Sequence, residues 1–208
     1  MKLIIFGATG TIGRLVVEQA LALDHEVIAF ARNPAALEIR HNKLSRIEGD
    51  VMNKVDVSNA IKGSDGVLIS LGSSNLKSNV RSVGTQNIVE AMQQHQVKRL
   101  ICQSTLGVGE SRGNLNFFWK YLMFGFILRA VFKDHVIQEA IVKGSDLDWT
   151  IVHPAAFVYE QIGKNYKHGF TAKERNLKLK ISRSDVASFM LKQINSDAYL
   201  HQSPGLSY

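Results

Sequence analysis

The residues with chemical potential begin at position 7. Gly7-Ala8-Thr9-Gly10-Thr11-Ile12-Gly13 is a G-x-x-G-x-x-G string behind the apolar run Lys2–Phe6 and ahead of a helical pattern. In that setting Gly7 permits a tight turn, Gly10 lets backbone amides approach an anion, and Gly13 lets helix and strand pack closely. The helix N-terminus adds free N–H groups and partial positive charge, so the loop suits a pyrophosphate. A Gly-rich turn without a ligand is the plainer alternative. The next apolar run ends Phe30-Ala31-Arg32-Asn33, where a site for NAD usually places a carboxylate. Arg32 could instead pair with a ribose 2′-phosphate, with Thr11 assisting, so NADP(H) is expected over NAD(H). A solvated surface arginine is the competing reading. His153 closes an apolar strand and reads as structural, and Cys102 sits among Leu100 and Ile101 as plain core.

These residues need a scaffold, and the hydrophobic pattern supplies one. Strand-like runs at Lys2–Phe6, Val27–Ala31, Leu44–Ile47, Gly66–Leu71, Val97–Cys102 and Trp149–Val152 alternate with helical spacing. The helical stretches are Ile12–Leu23, a short one from Pro34, Val55–Ile61, Val80–Gln94 and Asn116–Lys143, the last broken near Gly125. Leu177–Ile181 alternates strictly, as a strand with Leu177, Leu179 and Ile181 on the core and its lysines in water would, and Ser184 is placed to cap a final helix. Strands that are apolar throughout, each followed by a helix, imply a parallel sheet covered on both faces. Right-handed crossovers leave a doubly wound, three-layer α/β/α sheet of the Rossmann type as the expected fold. No linker or repeat divides residues 1–208, so a single domain is expected.

Composition narrows the partners. The chain carries 25 Lys+Arg against 18 Asp+Glu, a net charge of +7. Seven of those cations and only Glu174 fall in residues 161–183, so the basic character is one segment and not a broad nucleic-acid face. No nucleic acid is expected as partner. One cysteine excludes an internal disulfide and a cysteine metal cluster, and no metal site is expected. The apolar run at the start is too short for a signal h-region, and no stretch reaches the ~20 residues of a membrane span. A soluble cytoplasmic protein is expected.

Taken together, Gly7–Gly13, Arg32, Gly49-Asp50-Val51, Gly84–Asn87, Ser104-Thr105, Asp134-His135, Leu147–Pro154 and Ile181–Ala187 resemble the atypical short-chain dehydrogenase/reductase group. Within it, the chain is similar to the NAD(P)-binding, NmrA-like and flavin (biliverdin-IXβ) reductase-like branch. The resemblance implies that Asp50 and Val51 contact the adenine and that Leu71 and Gly72 border its ribose. It places Ser104 and Thr105 near the nicotinamide, with the segment Pro154 to Phe157, Ala155 included, bringing backbone amides to the carboxamide. The Tyr-x-x-x-Lys pair of the larger members is absent from this sequence, and His135 stands where their Lys is expected. Alcohol oxidation by a tyrosinate is therefore not expected, nor is a sugar-nucleotide epimerase. Hydride transfer to a flavin or quinone needs positioning more than a strong base. Ser104 and His135 are the expected catalytic residues, His135 binding the nicotinamide ribose or donating a proton near neutral pH. A packing histidine is the alternative. A second histidine beyond the strand-ending proline, usual in the branch, is replaced here by Ala155 and Ala156. The alternative to a reductase is a redox-sensing or assembly module that binds NADP without turnover.

Two segments remain. Phe117-Phe118-Trp119 and Tyr121–Leu128 are denser in apolar side chains than a one-sided helix needs. They fit a helix packed on the sheet, a lid over a ring-shaped substrate, or a homodimer or membrane-surface patch. Residues 105–133 and 155–183 are expected on the substrate side. There Lys164, Lys167, His168 or Lys173 could attract a phosphate on the acceptor, or simply face water.

Overall fold

A computed structural model describes residues 1–158, 165–172 and 174–208. Six strands lie side by side: β1 (Lys2–Phe6), β2 (Glu26–Ala31), β3 (Leu44–Glu48), β4 (Gly66–Ile69), β5 (Arg99–Gln103) and β6 (Asp148–Pro154). They pair in parallel in the order β3-β2-β1-β4-β5-β6. Three short strands follow β6: β7 (Ala156–Val158), β8 (Lys167–His168) and β9 (Lys180–Ser182). The last strand, β10 (Gly205–Ser207), adds parallel to β6 and carries β8 antiparallel on its far side. β7 and β9 form a separate parallel pair. The helices are α1 (Gly13–Ala22), α2 (Lys54–Ile61), α3 (Val80–Gln94), α4 (Arg129–Lys143) and α5 (Arg183–Lys192).

The strands bury both faces, which is why they read as continuous apolar runs. Leu3, Ile5, Ala29, Leu68, Ile101 and Val152 point to one core, filled from the other side by Val16, Ala20 and Val186 of α1 and α5. Their neighbours Ile4, Phe6, Phe30, Ile69 and Leu100 point to a second core with Val57, Ile88 and Met92 of α2 and α3. This is the expected doubly wound α/β/α layering in a single domain.

Three local expectations are corrected. The alternation at Leu177–Ile181 is not a strand along its length: only Lys180–Ser182 pairs, and Leu179 takes a left-handed φ of 53°. Burial still alternates there: Ile181 sits in the core, and Leu179 packs against the core and lines a cavity. The cap of α5 is Ser182, whose hydroxyl accepts from the Asp185 amide at 3.0 Å, and not Ser184. The long helix at 116–143 breaks at Leu128, not at Gly125, and its first part, Phe118–Ile127, is wound as a π-helix.

Candidate active site

The chain leaves β1 toward β2 and β3 on one side and returns to β4 on the other. That switch leaves a crevice at the C-terminal ends of β1 and β4, where open α/β sheets hold ligands. A cavity of about 940 Å³ runs from it toward β6. This lies at the large end of ligand sites.

The glycine loop forms its floor. Gly7 has a φ of 80°, and a Cβ there would lie 2.3 Å from the Ser70 carbonyl oxygen. The Gly10 amide donates to the Gly7 carbonyl at 2.9 Å, closing the turn. Thr9, Gly10, Thr11 and Ile12 face the cavity. Gly13 does not line it. Its role is packing, since a Cβ would stand 2.1 Å from the Gly7 carbonyl oxygen. α1 begins at Gly13 with no side-chain cap and no acidic residue in its first turn. Helices normally satisfy their first amides with a capping side chain. Here the terminus is open toward the cavity and suits an anionic group.

At one end, Arg32, Asp50 and Val51 line the wall. Arg32 is exposed and, among the described residues, makes no hydrogen bond or ion pair. Asp50 is fixed by its neighbours: its carboxylate accepts from the Met52 amide at 2.9 Å, and its own amide donates to Asp56 at 3.0 Å. The buried Asn87 side chain of α3 holds the Val51 carbonyl at 2.9 Å. Leu71 and Gly72 form the middle of the wall.

At the other end are Ser104, Thr105 and His135, with Pro154, Ala155 and Phe157 opposite and Trp119, Phe124 and Leu128 above. Behind this end sits a buried polar cluster. The Ser104 hydroxyl donates to Glu139 Oε1 at 2.6 Å, and His153 Nε2 meets the same oxygen at 2.7 Å. Lys143 Nζ reaches Oε2 at 3.0 Å. Burial alone would raise the Glu139 carboxyl, but His153, Ser104 and Lys143 outweigh it and hold it below the usual carboxylate range. Gln138 Nε2 donates to Thr85 Oγ1 at 3.1 Å, which turns Gln138 Oε1 onto His135 Nδ1 at 3.2 Å. That network assigns the His135 proton to Nδ1 and leaves Nε2 as a lone-pair acceptor. Burial, and then the Arg81 cation, lower the His135 pKa to about 4.

The geometry brings together every residue expected at the site except Gly13, which supports the loop from behind. One expected role is corrected and another is disfavoured. Burial lowers the His135 pKa to about 4 and so favours the neutral imidazole, which suits binding the ribose better than donating a proton near pH 7. The Ala155 and Ala156 amides already donate to the Leu206 and Leu179 carbonyls at 3.0 and 3.2 Å. That turn therefore offers the cavity side chains and not those two N–H groups. Lys167 pairs with Glu174 at 2.6 Å, and His168 bonds the Tyr199 hydroxyl at 2.7 Å. Neither lines the cavity. Lys164 and Lys173 lie outside the described residues.

Sequence reasoning missed Arg81 and the α4 cluster. Arg81 is buried against the cavity wall, 3.6 Å from the Asp134 carboxylate, with no hydrogen-bond partner on Nε or Nη1. Asp134 accepts from the Arg81 and Ser82 amides at 3.1 and 3.0 Å, so it caps α3 from another helix. A readable signal existed. On α4, polar Asp134, His135, Gln138 and Glu139 are buried while Val136 and Ile137 are exposed. Their spacing of four residues is a helical face whose chemistry is inverted.

A glycine loop at the switch point of a doubly wound sheet, opening an uncapped helix, defines a dinucleotide-binding protein of the Rossmann class. The sequence profile of the NAD(P)H-binding family matches residues 7–197, and the chain belongs to that family. A 3-beta-hydroxysteroid dehydrogenase from Mycolicibacterium neoaurum is 30% identical over 113 residues, 48% of this chain. That match spans 31% of the enzyme, so the chain covers under a third of that relative's length. Among solved structures, a short-chain dehydrogenase/reductase from Veillonella parvula in complex with NADP superposes with a TM-score of 0.85 at 16% identity. All of this chain and 94% of that one are covered. ChuY, an anaerobilin reductase from Escherichia coli O157:H7, superposes with a TM-score of 0.77 at 21% identity, covering 99% and 96%. Among the described residues, no helix is long and apolar enough to cross a membrane, and no group of His, Cys, Asp and Glu is placed to hold a metal ion.

Proposed function

We propose that the protein is an NADP(H)-dependent reductase of the atypical short-chain dehydrogenase/reductase type, passing hydride to a small conjugated acceptor such as a flavin or quinone. The observation that carries this reading is the cavity itself. One end offers Arg32 and the loop amides for phosphates, and the other offers Trp119, Phe124 and Leu128 as a flat apolar wall. Gly7–Gly13 would hold the pyrophosphate, Arg32 with Thr11 the 2′-phosphate, and Asp50 and Val51 the adenine. Leu71 and Gly72 would border the adenosine ribose. The NADP complex of the Veillonella protein and the reductase activity of ChuY, each on the same fold, support the reading.

When bound, the dihydronicotinamide supplies the hydride. The chain's own residues position it. The Ser104 hydroxyl donates to Glu139, and the His135 Nδ1–H lies between Gln138 Oε1 at 3.2 Å and Ser104 Oγ at 3.4 Å, so the protons of both are taken up inside the cluster. They are built to accept bonds, as from a ribose hydroxyl or carboxamide N–H, and fix the ring for transfer. Neither is an acid, so any proton that follows the hydride comes from solvent. That suits a flavin or quinone, whose reduced ring delocalises the incoming charge. It also favours one second reading, a module that binds NADP without turnover.

The test is NADPH consumption with FMN, riboflavin and a benzoquinone, alongside dissociation constants for NADPH and NADH. Turnover with at least one acceptor and tighter NADPH binding are expected. Tight NADPH binding with no consumption across the panel would leave the sensor reading in its place.

A further inference from the structure

We propose that the outer face of the Phe118–Ile127 helix docks on an anionic lipid bilayer surface, and that the acceptor enters the cavity from that surface. The second clause rests on the reductase reading above. The first rests on the helix alone. A π-wound helix bonds i to i+5, seen here as Leu128 N–H to the Met123 carbonyl at 2.6 Å, so its faces repeat every four to five residues. Phe117, Tyr121–Leu122 and Phe126 follow that repeat on one side, and Trp119, Phe124 and Leu128 follow it on the other.

The two faces meet different surroundings. The inner set lines the cavity. The outer set is in water: Phe126 is 82% exposed, Phe117 77% and Tyr121 59%. Large aromatics left this exposed in one patch mark an interaction surface. Charge decides what kind. Lys120, Arg129 and Lys133 flank the patch, and no Asp or Glu occurs between Leu115 and Lys133. Aromatic side chains with a rim of Lys and Arg form the pattern of a helix lying in a membrane interface. A two-fold contact with a second copy would bring the same cations face to face with no carboxylate in the patch to meet them. An anionic bilayer satisfies both the rings and the charges. One helix then connects a lipid-facing surface to the apolar wall of the cavity, a route for an acceptor dissolved in the bilayer, such as a quinone.

The experiment is co-sedimentation of the full chain with vesicles of phosphatidylcholine alone and with added phosphatidylglycerol, with NADPH oxidation by a water-soluble benzoquinone followed in the same samples. Each cation near an anionic surface is worth about fivefold in partition, so a preference above ~tenfold for the anionic vesicles is expected, lost at high salt. The double variant Phe117→Ser, Phe126→Ser is expected to bind vesicles at least ~tenfold more weakly with unchanged NADPH affinity, which also reports that it is folded. The triple variant Lys120→Gln, Arg129→Gln, Lys133→Gln is expected to lose the anionic preference. Equal partition into both vesicle types, or none, overturns the proposal. So does reversible self-association of the wild type in sedimentation equilibrium that the double variant abolishes, since the patch then belongs to a second copy. Vesicle binding without quinone turnover would count against the reductase reading and leave the docking surface standing. Turnover without vesicle binding would do the reverse.

Discussion

Replacing His135 with Asn isolates the cost that burial places on the protonated imidazole. His135 is 7% exposed, and burial together with Arg81 brings its pKa from 6.5 to about 4. Holding it there amounts to roughly 3 kcal/mol against the charged form. Between those two values the unfolded chain binds a proton that the folded chain refuses, so stability falls as pH falls. From about pH 7 to about pH 4.5 the wild type should lose about 2 kcal/mol through this residue alone. Asn presents an N–H near the position of Nδ1 and does not titrate, so the variant lacks this loss. Glu139, whose lowered pKa gives stability that disappears as pH drops through its folded value, is present in both proteins and cancels. The assay is urea unfolding of both proteins at the two pH values. The expected outcome is a wild type that loses about 2 kcal/mol more than the variant. Parallel losses, or an imidazole titrating near its ordinary value by NMR, would refute the burial argument and restore His135 as a near-neutral acid.

Other outcomes follow from the same geometry. Arg32→Ala should weaken NADPH by about 10- to 100-fold, the value of a hydrogen bond to a charged group, with little effect on NADH; equal losses for both would remove Arg32 from cofactor choice. Gly13→Ala places a Cβ 2.1 Å from the Gly7 carbonyl oxygen, so the loop must move; calorimetry should show NADPH affinity falling by more than ~tenfold while circular dichroism keeps the α/β signature. Asp134→Ala removes two amide bonds at the start of α3 and leaves Arg81 buried without its anion. A loss of about 3–5 kcal/mol in denaturant unfolding is expected, and a change under ~1 kcal/mol would mean that the cluster does not hold α3.

What the sequence made legible was what neighbours in the chain decide. Gly7, Gly10 and Gly13 are local turn chemistry, and Arg32 ends an apolar run, so both could be placed from spacing alone. The parallel, doubly wound layering followed from uniformly apolar runs and crossover handedness, whereas the strand order came only with the structure. The Ser104–Glu139–His153 cluster was not legible, because β5, α4 and β6 bring those three together from distant positions. The inverted face of α4 was the available signal, and it lay hidden behind the resemblance of His135 to a catalytic position. The Phe118–Ile127 helix defeated the reading for another reason: its apolar side chains repeat at the π period, so an α period saw only an excess of greasy residues.

Enzymatic hydride transfer from NADPH is tested most directly by kinetics with labelled cofactor. NADPH deuterated in turn on each face of C4 is mixed with the protein and a benzoquinone, and the oxidised cofactor is analysed for the label it keeps. One face alone is expected to give up its deuterium, with a slowed rate for that isomer, and Arg32→Ala is expected to raise the KM for NADPH without changing which face reacts. Loss of label from both faces equally, or a rate no faster than the mixture without protein, would contradict it.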